Sequence, residues 1–599
     1  MTIHNFFLRP RAITWLPILV LGVVPLVWND AYQLSVWTFI LLGLIVVLGL
    51  DVLLGYGGQL SLGHGVFVSV GAYSTALLTT KAGWSGWLAM PSGMMVAALL
   101  ALIVGIPTLR LRGYYLAMAT LGFPVVLDGV LRHASAWTGG SSGVTGVPRL
   151  TFGSFVLKDP LQLYWFIFAV VCIVFFITEH LVRSRFGLAL KAVHADEAAA
   201  SARGINVAQT KVLAFIFSAV LASLSGSLYA HYVQFVSPDT FGISYSIMLI
   251  VLLVVGGAGR LWGAVIGTVG MMWLPEMLRS TSTWEPVVYG VILAIVLIFA
   301  PHGVAGLVRR RPSIPIDSVK SRKSVDTAIE ARNVDRSEDP LLALENLSKK
   351  FGGVQAVSSL SYQFATGRVQ AIIGPNGAGK STLLALIAGT LPPSTGQVRF
   401  GDRRVESLSA HSRARLGIGR TFQHIRLIPG LTVLENIVIG GHAASMHSDL
   451  QTRVLSVELL DRLGLSEVAD AYPSEINQFQ CRLTEIGAAL AGRPCLLLLD
   501  EPGAGLSSFE ITQLVDLMQS LREAGVSVVL VDHVMSLVMA SAQEILVLEH
   551  GVLIAQGEPA DVVRNEHVRS AYLGRSTALT SENVDQTPEN FLPQKEQSA

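Results

Sequence analysis

One stretch decides the fold of the second half of this 599-residue chain: Gly374-Pro-Asn-Gly-Ala-Gly-Lys380-Ser381-Thr382. It follows an apolar run at 369–373 that is typical of a buried strand, and it precedes an apolar run at 383–387 that is typical of a helix. The pattern G-x-x-x-x-G-K-[ST] in this strand-loop-helix context predicts a phosphate-binding loop. Its glycines let successive backbone N–H groups point at phosphates, and the helix N-terminus adds positive potential.

We expect the whole stretch to bind a nucleotide, with Lys380 reaching the β- and γ-phosphates and Ser381 ligating Mg²⁺. The apolar run 496–499 is predicted to be a strand, and it ends in Asp500 and Glu501. An acid at a strand end beside the loop is what Mg²⁺ binding requires, so Asp500 is expected to hold the Mg²⁺ shell. Glu501 is expected to polarise the attacking water as a general base. The residues of the predicted ATP site are Gly374, Pro375, Asn376, Gly377, Ala378, Gly379, Lys380, Ser381 and Thr382.

The composition divides the chain into two parts of different class. Hydrophobic residues make up 51% of the chain and charged residues only 14%, with a mean hydropathy of +0.54, whereas a soluble chain carries about 25% charged residues. Charges are sparse before residue 300 and ordinary after 308, so a membrane-embedded first half and a soluble second half are predicted. The net charge of +1 argues against a nucleic-acid partner. Three cysteines, Cys172, Cys481 and Cys495, show no disulfide or zinc spacing.

Ten apolar segments precede residue 303, at 12–28, 36–54, 59–80, 91–109, 114–131, 161–181, 211–232, 243–256, 261–278 and 286–302. Several are shorter than the ~20 residues that a bilayer crossing needs. The predicted fold is therefore a polytopic α-helical membrane domain of about 8–10 spans, fused to a soluble α/β P-loop ATPase domain with a helical subdomain.

The topology follows from where ATP is found. If residues after 308 are cytosolic, ten crossings place four basic groups inside, at 9–11, 110–112, 183–211 and 309–311. This distribution agrees with the positive-inside rule and puts both termini in the cytosol. Arg9 and Arg11 precede an apolar run as in a signal peptide, but no small-residue cleavage site follows, so a retained span is expected.

Three polar residues stand in apolar runs, and two of them are candidates for a role in the solute path. Asp51 and Asp128 are intramembrane acids, which are functional candidates by default, although both can also lie near helix ends. His64 is expected to be packed and hydrogen-bonded, because no second ligand stands at metal spacing.

The loop 183–211 joins two apolar segments and carries an alanine-rich stretch. A helix is predicted over 188–202, with Gly204 placed as its C-terminal stop. Such a helix could lie at the membrane interface, or it could dock into a groove on an ATPase.

Several pieces of residues 40–300 resemble the permease of the branched-chain amino acid importers of the ABC superfamily. The matching pieces begin at Gly55-Tyr-Gly-Gly-Gln-Leu-Ser-Leu-Gly-His64, Leu109-Arg-Leu-Arg-Gly, Thr138-Gly-Gly-Ser-Ser-Gly143, Arg183 and Gly256-Gly-Ala-Gly-Arg. The resemblance implies that 188–203 is the coupling helix, which passes force between ATPase and permease. The site residues assigned to it are Lys191, Asp196 and Glu197.

Four regions follow from this comparison: a permease domain at 1–311, a flexible linker at 312–340, an ATPase at 341–575 and a disordered tail at 576–599. Residues 341–575 resemble the ATPase subunit of the same importers. The resemblance implies that Phe351 stacks on adenine, and that His533 contacts the γ-phosphate. It implies that Gln423 senses Mg²⁺ and the coupling helix.

One motif departs from the family. The Leu-Ser-Gly-Gly-Gln signature, which caps the partner's ATP in ABC dimers, falls on Ile476, Asn477, Gln478, Phe479 and Gln480. Asn477 can still act as an N-cap, but Phe479 replaces a glycine, and its ring is expected to obstruct the phosphate or force a different pose. The dimer-contact loop has Ser507 and Ser508 without the usual Asp. We therefore hypothesise an asymmetric dimer, in which this chain's ATP site works with a partner's intact signature.

The resemblance implies an ATP-driven importer of a small polar solute, with branched-chain amino acids as the default and urea, amides or aromatic acids as alternatives. It implies that the chain lies in a bacterial inner membrane and has three partners: a second permease, a second ATPase with an intact signature, and a periplasmic solute-binding protein. Two other functions stay open. One is a homodimeric exporter half-transporter, and the other is a membrane-anchored nucleotide-binding regulator without turnover.

Overall fold

A computed structural model describes residues 12–28, 30–108, 114–152, 155–277, 285–300, 303–307, 340–442, 449–565 and 567–568. The chain divides into two compact units. The first unit comprises Met1–His194 and Val207–Pro312, and the second unit comprises Ala195–Asn206 and Ser313–Ala599. The predicted linker at 312–340, apart from Pro340, and the predicted tail lie outside the described residues. So do the basic residues Arg9, Arg11, Arg110, Arg112 and Arg309 to Arg311.

The first unit is helical, and each of the ten apolar segments corresponds to a helix. The ten are α1 (Ala12–Val27), α2 (Ala31–Leu50), α3 (His64–Thr80), α4 (Gly86–Thr108), α5 (Tyr114–His133), α7 (Pro160–Arg183), α10 (Val207–Val233), α11 (Ile243–Gly256), α12 (Leu261–Met277) and α13 (Glu285–Phe299). By length and composition, five helical stretches in the described part of the chain could cross a membrane. The expected 8–10 spans stay a prediction.

Short elements complete this unit. They are the helices α6 (Ser135–Thr138) and α8 (Arg185–Ala195), and the antiparallel pairs β1 (Val144–Thr145) with β4 (Phe235–Val236) and β2 (Thr151–Phe152) with β3 (Phe155–Val156). The helix α9 (Glu197–Ala202) belongs to the second unit.

Helix α2 is the most buried of the candidate spans, and its amino end is capped by Asp30, which accepts a hydrogen bond from the N–H of Gln33. It continues into a π-helix, Asp51–Tyr56. Helices α3 and α10 pack closely because glycines stand at their contact. A Cβ on Gly71 would lie 2.1 Å from the carbonyl oxygen of Ser223, and one on Gly226 would lie 1.9 Å from that of Val68. Small residues allow such close approach in lipid.

The three polar residues of those apolar runs have structural partners. Asp51 is buried and accepts a hydrogen bond from the N–H of Gly259 at 2.7 Å. Asp128 pairs with Arg132 at 2.8 Å. The His64 ring is buried and hydrogen-bonded to the hydroxyls of Ser61 and Ser218, at 3.0 and 2.6 Å, as expected.

The second unit contains two sheets. The larger sheet has the order β10-β11-β12-β7-β13-β14, parallel except for the antiparallel last pair, and the smaller antiparallel sheet has the order β6-β5-β8-β9. The strands are β5 (Leu342–Phe351), β6 (Val354–Phe364), β7 (Val369–Ile373), β8 (Thr395–Phe400), β9 (Arg403–Arg404), β10 (Ile418–Arg420), β11 (Leu496–Asp500), β12 (Ser527–Val531), β13 (Glu544–Glu549) and β14 (Val552–Gly557).

The helices of this unit are α14 (Lys380–Ala388), α15 (Ala410–Leu416), α16 (Val433–Gly440), α17 (Asp449–Arg462), α18 (Gln478–Leu490), α19 (Ser508–Glu523), α20 (Met535–Ser541) and α21 (Pro559–Arg564). Strands β7, β11 and β12 are fully buried, which explains their continuous apolar sequences. The carboxyl ends of these parallel strands carry the loops that begin at Gly374, Glu501 and Asp532. Ligands bind at this edge in open α/β sheets.

The predicted single helix over 188–202 is wrong in one respect. The structure has two helices, α8 and α9, separated by Asp196. Asp196 adopts a β conformation (φ −157°, ψ 108°), and its carboxylate accepts the N–H groups of Ala198 and Ala199. Its short acidic side chain therefore starts a new helix. The predicted stop is confirmed, because Gly204 follows α9 with φ +80°.

Candidate nucleotide-binding site

The phosphate-binding loop has the predicted strand-loop-helix form, between β7 and α14. Gly374, Gly377 and Gly379 have φ values of 152°, 82° and 97°, where L side chains are strained. A Cβ on Gly374 would also lie 2.2 Å from the carbonyl oxygen of Leu548. The Lys380 amine donates to the carbonyls of Gly374 and Pro375 at 2.7 and 2.9 Å. Burial lowers its pKa, and the nearby acidic residues oppose that effect.

The hydroxyl of Ser381 and the carboxylate of Asp500 meet at the start of α14, 3.4 Å apart. Burial raises the pKa of Asp500, and the Arg420 guanidinium, 3.7 Å from its other oxygen, opposes that rise. One hydroxyl and one carboxylate oxygen beside a phosphate loop suit Mg²⁺, which takes few protein ligands and completes its shell with water and phosphate. In the described parts of the chain no cluster of three or more His, Cys, Asp or Glu could hold a metal by itself.

Three side chains meet at the carboxyl ends of neighbouring strands. They belong to Gln423 after β10, Glu501 after β11 and His533 after β12. The amide nitrogen of Gln423 donates to Oε2 of Glu501 at 3.0 Å, and Nδ1 of His533 lies 3.9 Å from the same oxygen. Glu501 has φ +49°, and its N–H bonds to the carbonyl of Val531 at 2.7 Å. A carboxylate between an amide and an imidazole can accept a proton from water.

The predicted adenine platform is also accessible. Phe351 ends β5 with its ring 48% exposed, and the Lys349 amine lies 5.3 Å from the ring centre. An exposed ring held beside a cation has one face free to stack on a base.

The signature positions lie at the amino end of α18. Asn477 is the N-cap of α18 and forms a reciprocal capping box with Gln480. Phe479 is only 8% exposed, because its apolar ring packs into the interior of its own subunit. The ring therefore does not extend outward from its own subunit, and the expected obstruction of a partner's phosphate, or a different pose of it, stays a prediction. Gln478, at the first glycine position, is exposed, and its amide nitrogen lies 3.5 Å from the carbonyl oxygen of Ala504.

Sequence reasoning missed a buried arginine on α18. Arg482 donates to the carbonyls of Phe422 and Gln423, at 2.8 and 3.3 Å, and to that of Glu501 at 3.4 Å. It also pairs with Glu485 at 3.3 Å. A second missed residue, Asp532, accepts the N–H groups of residues 503, 533 and 534. The helical spacing of Arg482 and Glu485 could have suggested their pairing, but not their other partners.

The segment 195–206 contributes further contacts within the second unit. Asp196 pairs with Arg426 at 2.8 Å, Arg203 donates to the carbonyl of Arg426 at 2.9 Å, and Arg415 donates to that of Gly204 at 3.0 Å. Of the three site residues assigned to the expected coupling helix, Asp196 therefore contacts the segment that follows Gln423. Glu197 begins α9, whereas Lys191 lies in the first unit, 5.5 Å from the ring centre of Tyr56.

These features define an ATP-binding cassette joined to an apolar helical unit, the class of ATP-driven membrane transporters. Residues 32–301 match the family described as the permease component of branched-chain amino acid transport systems. Residues 357–504 match the ABC transporter family, and residues 552–578 match the branched-chain amino acid ATP-binding cassette transporters.

Two curated relatives from Salmonella typhimurium divide the chain between them. The branched-chain amino acid transport ATP-binding protein LivG is 34% identical over 257 residues, which cover 40% of this chain and 99% of LivG. The permease protein LivM is 30% identical over 313 residues, which cover 48% of this chain and 73% of LivM. A solved nucleotide-free ATP-binding cassette aligns with 39% of this chain and 99% of its own, at 28% identity and a TM-score of 0.37.

The chain belongs to the branched-chain amino acid ABC transporter family, and it carries a permease component and an ATP-binding component in one polypeptide. It is an ATP-binding ABC-type ATPase coupled to membrane transport.

Proposed function

We propose that this chain is the permease-plus-ATPase half of an importer that uses ATP to carry branched-chain or related amino acids across the bacterial inner membrane. The observation that carries the proposal is the contact of Asp196 and Arg203, from a loop between permease helices, with the segment just after Gln423. An ATPase that holds a loop of its own permease beside a residue of the catalytic group is suited to drive that permease.

The chemistry is phosphoanhydride hydrolysis. Lys380 and the N–H groups of its loop bind the β- and γ-phosphates, and Phe351 orients the base. Ser381, Asp500 and Gln423 would hold Mg²⁺, which neutralises phosphate charge when it is bound.

In this mechanism Glu501 takes the proton of the attacking water at Oε2. Gln423 orients the carboxylate through its hydrogen bond, and His533, whose Nδ1 lies 3.9 Å from the same oxygen, would contact the γ-phosphate. Positioning and charge stabilisation supply most of the rate enhancement.

The complete importer requires three partners: a second permease, a second ATPase and a periplasmic solute-binding protein. Both termini lie in the cytosol, as the distribution of basic residues suggests. The second ATPase carries an intact signature, which completes the ATP site at Lys380. The partner's own loop faces Gln478 and Phe479, where two glycines are missing, and that second site binds ATP but hydrolyses it weakly.

The proposal is tested in vesicles that contain the full complex. Leucine uptake should require ATP and should be abolished by Lys380→Ala, whereas urea, acetamide and benzoate should not compete. Equal uptake with Lys380→Ala would refute ATP-driven import. Strong competition by one of the other solutes would reassign the substrate.

Three further measurements separate the alternatives. The isosteric change Glu501→Gln should lower ATP turnover by about 10²- to 10⁴-fold, as expected for loss of a general base, and an unchanged rate would indicate a regulator without turnover at this site. Fast turnover by the purified chain alone would contradict the asymmetric dimer. Reporter fusions that gave six long spans would favour an exporter.

A further inference from the structure

Buried charges hold the segment 422–426 from two sides. On one side, Nη2 of Arg203 donates to the carbonyl of Arg426 at 2.9 Å. On the other side, Oε1 of Glu485 accepts the N–H of Arg426 at 3.1 Å, and Arg482 donates to the carbonyls of residues 422 and 423. The backbone of Arg426 therefore lies between a cation from segment 195–206 and an anion on α18.

These three side chains are far more buried than ordinary ionic contacts. Arg203 is 7% exposed, and Arg482 and Glu485 are each 3% exposed. Burial lowers the pKa of Arg203 and raises that of Glu485, and in each case the charge of the other opposes the shift. Replacing buried ion pairs by apolar residues is often neutral or stabilising, so a buried charge set is weak support for a purely structural role.

The Arg203 guanidinium is also incompletely bonded. Its Nη1 is buried and has no hydrogen-bond partner among the residues that the structure describes. An unpaired buried donor is costly, and a small shift of α18 or of the segment 195–206 could give it a carboxylate or carbonyl partner. The arrangement thus has room for a second, better-bonded state.

We propose that Arg203, Glu485 and Arg482 form a buried path that passes motion of the segment 195–206 to α18. The inference rests on the proposed function and deepens it. The exposed pair Asp196–Arg426 fixes the position of the segment, whereas the buried path transmits its movement. Because Arg482 also donates to the carbonyl of Glu501, the same path reaches the catalytic base.

In this proposal α18 transmits motion, and this role does not depend on the signature glycines that the helix lacks. The helix begins at Gln478, and Arg482 and Glu485 lie in its first two turns. Force applied there is passed along a rigid helix to its amino end, where the partner ATPase is expected. The amino end lacks the glycines needed to bind phosphate, but the remainder of α18 still moves as a rigid body with the residues that contact the segment 195–206. The three residues are positioning residues and contact no substrate.

The experiment measures leucine uptake per ATP hydrolysed by the full complex in vesicles. Arg203→Met keeps an unbranched side chain and removes the guanidinium and its charge, so uptake per ATP should fall at least about fivefold, the lower end of typical coupling free energies. Arg203→Lys keeps the charge and should give an intermediate value. A merely structural role predicts equal losses of uptake and hydrolysis, so that their ratio would stay constant.

A double-mutant cycle identifies the partner. Glu485→Gln should reduce the ratio as well, and the double variant Arg203→Met/Glu485→Gln should be no worse than the worse single variant, because both changes interrupt the same path. The control is Arg462→Met, which removes an exposed arginine paired with Glu458 on α17 and should change nothing.

The outcomes distinguish this inference from the function on which it rests. If the parent complex moves no amino acid with ATP, the proposed function fails and the path fails with it. If the parent transports leucine and Arg203→Met keeps the same uptake per ATP, only the path is refuted. Multiplicative losses in the double variant would likewise refute the pairing.

Discussion

Arg413 stabilises the helix that carries the phosphate-binding loop, and its replacement is predicted to destabilise the ATPase. The side chain is 1% exposed, and its Nη1 donates to the carbonyls of Leu386 and Ile387 at 2.6 and 2.8 Å. Its Nε donates to the carbonyl of Leu408 at 3.1 Å. A guanidinium at the carboxyl end of α14 also complements the helix dipole. We expect Arg413→Met to lower the thermal stability of the second unit.

The size of the effect follows from two opposing terms. Burial lowers the pKa of Arg413 to about 10, which corresponds to roughly 3 kcal/mol against the charged form. Three hydrogen bonds from a charged donor contribute about 1.5–3 kcal/mol each, and this term is the larger. The difference is a net loss of about 1.5–6 kcal/mol, which for a domain of this size lowers the unfolding temperature by about 3–24 °C.

The assay is the temperature at which the ATPase of the full complex is half-inactivated. The control is Arg404→Met, which removes an exposed arginine on β9 and should leave that temperature unchanged. At 25 °C the turnover of Arg413→Met should stay within about twofold of the parent, because Arg413 contacts no residue of the predicted nucleotide site. A variant as stable as the parent would show that the burial penalty cancels the hydrogen bonds, and would refute the reasoning.

Three further changes test other parts of the site. Phe351→Ala should raise the KM for ATP by about 5- to 30-fold, which is equivalent to about 1–2 kcal/mol of stacking. The kcat should not change, and Phe351→Trp should restore the KM. An unchanged KM in Phe351→Ala would contradict a stacking role. Arg420→Met removes the cation that opposes the raised pKa of Asp500, so that carboxylate should protonate at a higher pH, and the acid limb of the pH–turnover profile should move upward; a downward shift would contradict the pairing. Asp532→Asn places an NH₂ group among three backbone donors. It should lower the free energy of unfolding by about 2–3 kcal/mol, and this loss should appear as a lower inactivation temperature. The exposed change Asp516→Asn is the control.

The local parts of the site were predictable because the sequence records local geometry. The glycines at 374, 377 and 379 are required by their positive φ values, and the apolar runs before Gly374 and after Arg493 are buried strands of one sheet. The stop at Gly204 was predictable for the same reason. Each of these features depends on residues within one turn or one strand.

Features that depend on distant partners were not predictable. The sequence alone indicates neither that Arg203 and Glu485 both bind the backbone of Arg426 nor that Arg413 binds the end of α14. The expected continuous helix over 188–202 overlooked the local competition by Asp196, whose carboxylate binds two backbone N–H groups. The inward position of Phe479 reflects the apolar interior available to it, which only the fold provides.

The second unit is assembled from two separated stretches, Ala195–Asn206 and Ser313–Ala599. Covalent continuity fixes their stoichiometry at one to one, and it gives them an effective concentration that dilution cannot change. A cassette expressed as residues 340–568 would leave the carbonyl of Arg426 without the Arg203 guanidinium and Arg415 without the carbonyl of Gly204. The permease loop is thus a structural component of the ATPase. The boundary between permease and ATPase along the sequence therefore differs from the boundary between the two folded units.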